Sequence, residues 1–187
     1  MGRVIYSVAS SLDGYNTDAA GGYAWAEPDE EVIAALTADA ASVSTYLYGR
    51  RMYETMAVWE TDPAAARQSP ESAVFAETWK AAEKVVFSAS LDHVFTERTR
   101  LERELTVAAI ERARLDAVGD LTIEGPTLAK SALRLGVVDV VELLLCPVMV
   151  GGGTRVFPDD LSLTLRLTRE RRFSNGMVQI TYERSRD

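Results

Sequence analysis

Cysteine and histidine occur once each in the 187 residues, as Cys146 and His93. A single cysteine excludes an intramolecular disulfide and any cysteine-rich zinc site. A single histidine leaves little from which to build a histidine metal site or a Ser-His-Asp triad, and no metal site is expected. Cys146 sits among Leu143, Leu144, Leu145 and Val148, the setting of a buried, inert thiol. His93 follows Leu91 and Asp92 in a polar turn and reads as a surface residue. Long apolar runs are lacking too: residues 137–150, the longest, are interrupted by Asp139, Glu142 and Pro147, too short and too charged to span a bilayer. No basic segment followed by an apolar one opens the chain, so the sequence predicts no signal peptide and a cytoplasmic protein. Cations are in deficit, 20 Lys and Arg against 28 Asp and Glu, for a formal net charge of −8. Such a field repels phosphate and disfavours nonspecific contact with nucleic acid or an anionic membrane. An anionic ligand must then be held locally.

What is present suits one domain spanning residues 1–187, large enough to bury a core without disulfides or metals. Hydrophobic residues make up 47% and charged residues 26%, which excludes disorder and low complexity. No internal repeat or linker is visible. Residues 44–47 are strand-like, and Tyr48-Gly49-Arg50-Arg51-Met52-Tyr53-Glu54 follows as a strand, a tight glycine turn and a helix start. Arginines placed there can fork onto phosphate oxygens. A second turn of this kind lies at Gly125-Pro126, after the strand 120–124 and before a helix over 127–135 closed by Gly136. Two such turns, in a sheet that alternates with helices, imply a dinucleotide-sized ligand.

Around these turns the remaining segments fall into order. Residues 3–9 alternate as a strand, and Ser10 to Tyr15 open a long loop to about Pro28 whose Tyr15, Tyr23 and Trp25 need a surface to cover. Glu27-Pro28-Asp29-Glu30-Glu31 starts a helix, with acids as dipole partners or one of them facing a pocket. Residues 59–70 look irregular, 71–79 and 104–117 helical, 84–88 and 98–101 extended. A long strand over 138–150 leads to Gly151-Gly152-Gly153, a mobile turn or a close approach to a ligand. Two strands, 163–173 and 177–184, join at Ser174-Asn175-Gly176 as a hairpin.

The order of these motifs resembles the dihydrofolate reductase-like fold, and within it the branch of the riboflavin-biosynthesis reductase domain. The resemblance covers nearly the whole chain. It rests on Ser11-Leu12-Asp13-Gly14-Tyr15, the Tyr48 to Glu54 stretch, Lys84-Val85-Val86-Phe87-Ser88 and Ile123-Glu124-Gly125-Pro126-Thr127-Leu128-Ala129. Gly136-Val137-Val138-Asp139 and the stretch from Pro147 through the triple glycine to Phe157 complete it. The resemblance implies an α/β fold, a mostly parallel central sheet flanked by helices with a C-terminal antiparallel hairpin. It implies NADPH across the strand ends: Gly49, Arg50 and Arg51 at the adenosine 2′-phosphate with Ser88 nearby, and Glu124, Gly125, Pro126, Thr127 and Leu128 at the pyrophosphate. Ala9 would lie against the nicotinamide, and Asp13, Tyr15 and Trp25 would border the substrate, with Asp13 as a candidate proton source. The chain departs from the family's usual pair of glycines at Glu124-Gly125, where an acid would oppose a pyrophosphate. The activity implied is an NADPH-dependent reductase of a small heterocyclic or ribityl-type substrate, similar to 5-amino-6-(5-phosphoribosylamino)uracil reductase. A pteridine or dihydrofolate reductase, and a noncatalytic nucleotide-binding or structural dimer, are the alternatives. A homodimer would use the strand 140–150 and the C-terminal hairpin.

Overall fold

The computed structural model of the protein describes residues 2–185. In chain order its elements are β1 (Val4–Ser11), α1 (Glu30–Ala40), β2 (Val43–Gly49), α2 (Arg50–Met56), α3 (Val58–Thr61), α4 (Pro63–Ala66), α5 (Pro70–Ala81) and β3 (Glu83–Phe87). They continue with β4 (Thr99–Glu102), α6 (Val107–Asp116), β5 (Asp120–Glu124), α7 (Pro126–Arg134), β6 (Val140–Cys146), β7 (Leu165–Arg172) and β8 (Val178–Arg184). The strands form one sheet in the order β4-β3-β2-β5-β1-β6-β8-β7. The first six run parallel, and β8 and β7 add an antiparallel hairpin beyond β6. Among the described residues no helix is long and apolar enough to cross a membrane.

The period of two along each strand divides the core. Tyr6, Leu47, Val85 and Ile123 face α6 and α7, where Ile110, Ala113, Ala129 and Leu133 meet them. On the other face two separate clusters form. Tyr48 and Val86 pack with Tyr53 and Trp79 of α2 and α5, and Leu144 and Cys146 pack with Val32 of α1, Phe173 and Met177.

Local chemistry explains most helix starts. Asp29 accepts a hydrogen bond from the Val32 N–H at 3.0 Å, so α1 begins after Pro28 rather than at it. Ser69 and Thr106 cap α5 and α6 in the same way. Residues 59–70, expected to be irregular, instead hold α3 and α4; Asp62 accepts from the Ala64 N–H, with Pro63 in the first turn. Lys84 lies on a buried stretch of β3, and its ammonium donates to the carbonyls of Trp79 at 3.1 Å and Ala82 at 3.0 Å, which satisfies the end of α5. Burial lowers its pKa, and the Trp79 ring lies 4.2 Å from the same nitrogen.

Three expectations need correction. The strand expected over 138–150 ends at Cys146, because Pro147 has no N–H to donate and the chain turns there, with Val148 N–H on the Cys146 carbonyl at 2.8 Å. That strand is also no free surface for a dimer, since β1 and β8 flank it on both sides; β4 and β7 are the edges. The triple glycine is a close approach, though to the chain itself. A Cβ on Gly153 would lie 2.0 Å from the Thr17 carbonyl oxygen, and its φ of 126° suits glycine alone. The Asn16 N–H to Thr154 carbonyl bond at 2.7 Å and the pairing of Tyr15 with Arg155 seal this contact.

Candidate active site

A cavity of about 200 Å³ opens at the carboxyl ends of the central strands, between the two clusters of the α1 and α5 face. Strand β1 supplies Ser7, Val8 and Ala9, and the loop after it supplies Asn16, whose Nδ2 donates to the Ala9 carbonyl at 3.1 Å. Leu36 of α1, Met52 of α2 and Leu144 of β6 form apolar walls, and Glu124 and Gly125 close the end next to β5. In open α/β sheets ligands bind at such strand ends. A second concavity, about 290 Å³, lies among α3, α4 and α5 beside Trp59, Arg67 and Lys80, away from the strand ends.

Both turns singled out in the sequence border this cavity, and they touch one another. A Cβ on Gly49 would lie 3.8 Å from Leu128, and one on Gly125 would lie 3.6 Å from Met52. Neither α2 nor α7 has a side-chain cap, unlike α1, α4, α5 and α6. Among the described residues no N-cap side chain therefore satisfies the free N–H groups at the start of α7, which follows the carboxyl end of β5. Gly125 makes its turn with a φ of 94°, and the described peptide bonds, Glu124-Gly125 included, are all trans. Pro126 is buried, Thr127 exposed and Leu128 half-buried.

The arginines stand at the same edge, both exposed. Arg50 pairs with Glu54 at 3.2 Å and donates to Ser90 Oγ at 3.3 Å. Arg51 forms no ion pair among the described residues. Ser88 is nearly buried, and its Oγ accepts from the Ser90 and Leu91 N–H groups at 3.2 and 3.0 Å.

Strand alternation sets the direction of Glu124. It pairs in register with Tyr48 and shares the face of Ser7 and Ala9, whereas α7 lies on the opposite face. Burial pushes its carboxyl up to about 7 from an ordinary 4.5, and a hydrogen bond with the Tyr48 hydroxyl pulls the other way. Tyr48 is itself fully buried and accepts from Trp79 Nε1 at 3.0 Å. Burial, and then the Glu124 charge, raise the tyrosine well above its usual range. The hydroxyl of the buried Trp79–Tyr48 pair thus stands beside the Glu124 carboxyl in the cavity wall. The acid therefore points away from the start of α7 and does not oppose an anion held at that turn.

Other residues singled out in the sequence lie around the cavity rather than in it. Asp13 accepts from Ser11 Oγ at 2.7 Å, Gly151 N–H at 2.7 Å and Val150 N–H at 3.2 Å. The Ser11 hydroxyl and those N–H groups hold its carboxyl below the usual range, so it clasps the loop as an anion and is poorly suited to donate a proton. Tyr15 carries the Arg155 guanidinium over its ring at 5.0 Å, and Trp25 packs on the α1 cluster with its Nε1 buried and unpartnered. Among the α1 acids, Asp29 caps its helix and Glu31 accepts from Ser174 N–H at 3.0 Å; none lines the cavity. Asn16, Ser7, Leu36, Met52 and Leu144 were not legible as site residues, because each reads in sequence as an ordinary loop or core residue.

A mostly parallel sheet of this order, closed by a C-terminal hairpin and opening a cavity beside its first strand, is the dihydrofolate reductase-like fold. Over residues 3–179 the chain matches the RibD C-terminal domain, and it belongs to that family. It is 25% identical over 185 residues to the uncharacterized protein YyaP of Bacillus subtilis strain 168, covering 96% of this chain and 94% of that one. A protein of Shewanella sp. PV-4, provisionally assigned to riboflavin biosynthesis, superposes with a TM-score of 0.78 at 21% identity, over 98% of this chain and 99% of that one. Dihydrofolate reductase from Enterococcus faecalis, solved with NADP(H) and RAB-propyl, superposes with a TM-score of 0.62 at 15% identity, over 99% and 98%.

Proposed function

We propose that the protein is an NADPH-dependent reductase of a small heterocyclic or ribityl-type substrate, with 5-amino-6-(5-phosphoribosylamino)uracil as one candidate. The observation that carries this reading is the contact between the Gly49 and Gly125 turns beside a cavity lined by Ala9, Met52 and Gly125. The family match and the NADP(H) held by a structural neighbour support it. Arg50, Arg51 and Ser88 would hold the 2′-phosphate end, and Gly125 to Leu128 the pyrophosphate. Bound NADPH would supply the hydride. The chain's own contribution is orientation and apolar walls from Ala9, Leu36, Met52 and Leu144 beside the reacting atoms. No nucleophile is needed, and Asp13 acts as a loop clasp in this reading. A pteridine reductase using an α1 carboxylate is disfavoured by the engagement of Asp29 and Glu31 elsewhere. We place the enzyme in the cytoplasm and expect a homodimer formed through its C-terminal hairpin, whose outer strand β7 is a sheet edge.

The test is a fluorescence titration of NADPH and NADH against the wild type, Arg50→Ala and Arg51→Ala. The preference for NADPH over NADH is expected to fall by about tenfold or more in at least one variant, the value of a charge-assisted phosphate contact. Equal binding of both nucleotides to all three proteins would remove the arginines from the site.

A further inference from the structure

We propose that the concavity among α3, α4 and α5 is a second ligand site, and that it takes a small aromatic carboxylate. It shares no lining residue with the strand-end cavity and does not depend on the reductase reading. Its shape follows from the local sequence. Asp62 ends α3 and, with Pro63, restarts the chain at once as α4, so two short helices meet at a corner and α5 supplies the third side. Ala73, Glu77 and Lys80 recur at helical spacing on the face of α5 that lines this corner, whereas Trp79 packs on the sheet. With only alanine at 66 and 73, and Pro63 beside them, about 290 Å³ is left open against Trp59. An edge contact with Phe75, ring centroids 5.0 Å apart, holds the Trp59 ring in place.

The charges around this hollow select the ligand. Glu60 offers it little: one carboxylate oxygen accepts from the Glu97 N–H at 2.7 Å, the other is buried, and its charge acts on the buried Lys84 ammonium. Lys84 is itself fully engaged, its three N–H groups donating to the carbonyls of Trp79, Lys80 and Ala82. Glu77 and Lys80 pair with each other at 3.1 Å. Arg67, just past α4, is then left over: among the described residues its exposed guanidinium has no ion pair or side-chain hydrogen bond. A ligand therefore meets one free, planar cation beside an aromatic wall. The guanidinium fork matches the two oxygens of a carboxylate in one plane. A phosphate dianion would bring two charges to that single cation, with Glu60 and Glu77 nearby, and an amine would find both acids engaged. The volume suits one small ring system more than an extended ligand.

The experiment titrates 2-naphthoate into the wild type, Arg67→Gln and Ala73→Leu, with 2-naphthamide as the control that lacks the charge and acetate as the control that lacks the ring. Amide NMR shifts at Arg67, Ala73 and Lys80 report the concavity, and those at Ala9 and Gly125 report the strand-end cavity. Saturable naphthoate shifts are expected in the first set and not in the second, with none from acetate. Arg67→Gln is expected to weaken naphthoate about tenfold or more, the value of a charge-assisted pair, and to leave naphthamide unchanged. Ala73→Leu fills the hollow from an exposed helix position and is expected to abolish binding of both. No naphthoate shift in the wild type, equal affinity for naphthoate and naphthamide, or equal naphthoate affinity in the wild type and Arg67→Gln would overturn the proposal. So would shifts confined to Ala9 and Gly125, or shifts that follow protein concentration alone, the mark of a second copy of the chain on this face.

Discussion

Trp79→Ala is expected to lower the stability of the protein by about 3–5 kcal/mol, the cost of removing a large aromatic side chain from a packed core. Trp79 is fully buried at the centre of the cluster that also holds Tyr48, Tyr53 and Val86. Its indole N–H is the donor to the Tyr48 hydroxyl at 3.0 Å, and its ring lies under the Lys84 ammonium. Alanine would leave a cavity, a buried hydroxyl without its donor and a buried cation without its ring, so the loss is expected at the upper end of that range. Domains of this kind have only about 5–15 kcal/mol in total, so the urea midpoint should move substantially. Trp79→Phe, which keeps most of the volume and drops the N–H, should fall between the two. A midpoint unchanged in Trp79→Ala would mean that this cluster does not hold α5 on the sheet.

Glu124→Gln should stabilise the protein, and the gain should depend on pH. The folded state raises this carboxyl from an ordinary 4.5 to about 7. Between those values the folded chain keeps a proton that the unfolded chain has released. Its contribution is therefore fully present below about pH 4.5 and is lost as pH rises through about 7. The integrated loss is about 3 kcal/mol at most, and less to the extent that solvent reaches the side chain from the cavity mouth. Glutamine has nothing to ionise, so the variant should exceed the wild type in unfolding midpoint above neutrality and converge with it in weak acid. Acids with lowered values, such as Asp39 beside Arg169 and Asp120 beside Arg3, weaken both proteins alike at low pH and cancel in the difference. Parallel profiles for the two proteins would show that Glu124 is ionised at ordinary pH.

Local signals in the sequence carried most of the fold. The run Asp120 to Glu124 between a polar turn and Gly125-Pro126 became β5 over those same residues. Asn175-Gly176 between alternating runs became the β7 and β8 hairpin. These signals are local because a breaker or a turn residue acts on its own neighbours. Helices α3 and α4 were missed because four-residue helices are too short to show a period, though Asp62-Pro63 is a start signal. The role of Gly153 was hidden because its constraint comes from Thr17 and Asp18, more than a hundred residues away. The site was legible only in part for the same reason. Gly49, Gly125 and the arginines announce themselves by residue type. Glu124 stood out in the sequence as an acid opposed to a pyrophosphate; only its register with Tyr48 and Ala9's strand shows that it enters the cavity instead.

The most direct measurement is hydrogen exchange on the protein with and without saturating NADPH. If the dinucleotide lies across the strand ends, exchange should slow at Ala9, over residues 49–51 and over residues 125–128, and remain unchanged around Trp59, Arg67 and Lys80. No protection anywhere, or protection confined to the concavity among α3, α4 and α5, would contradict an NADPH-dependent reductase built on these turns.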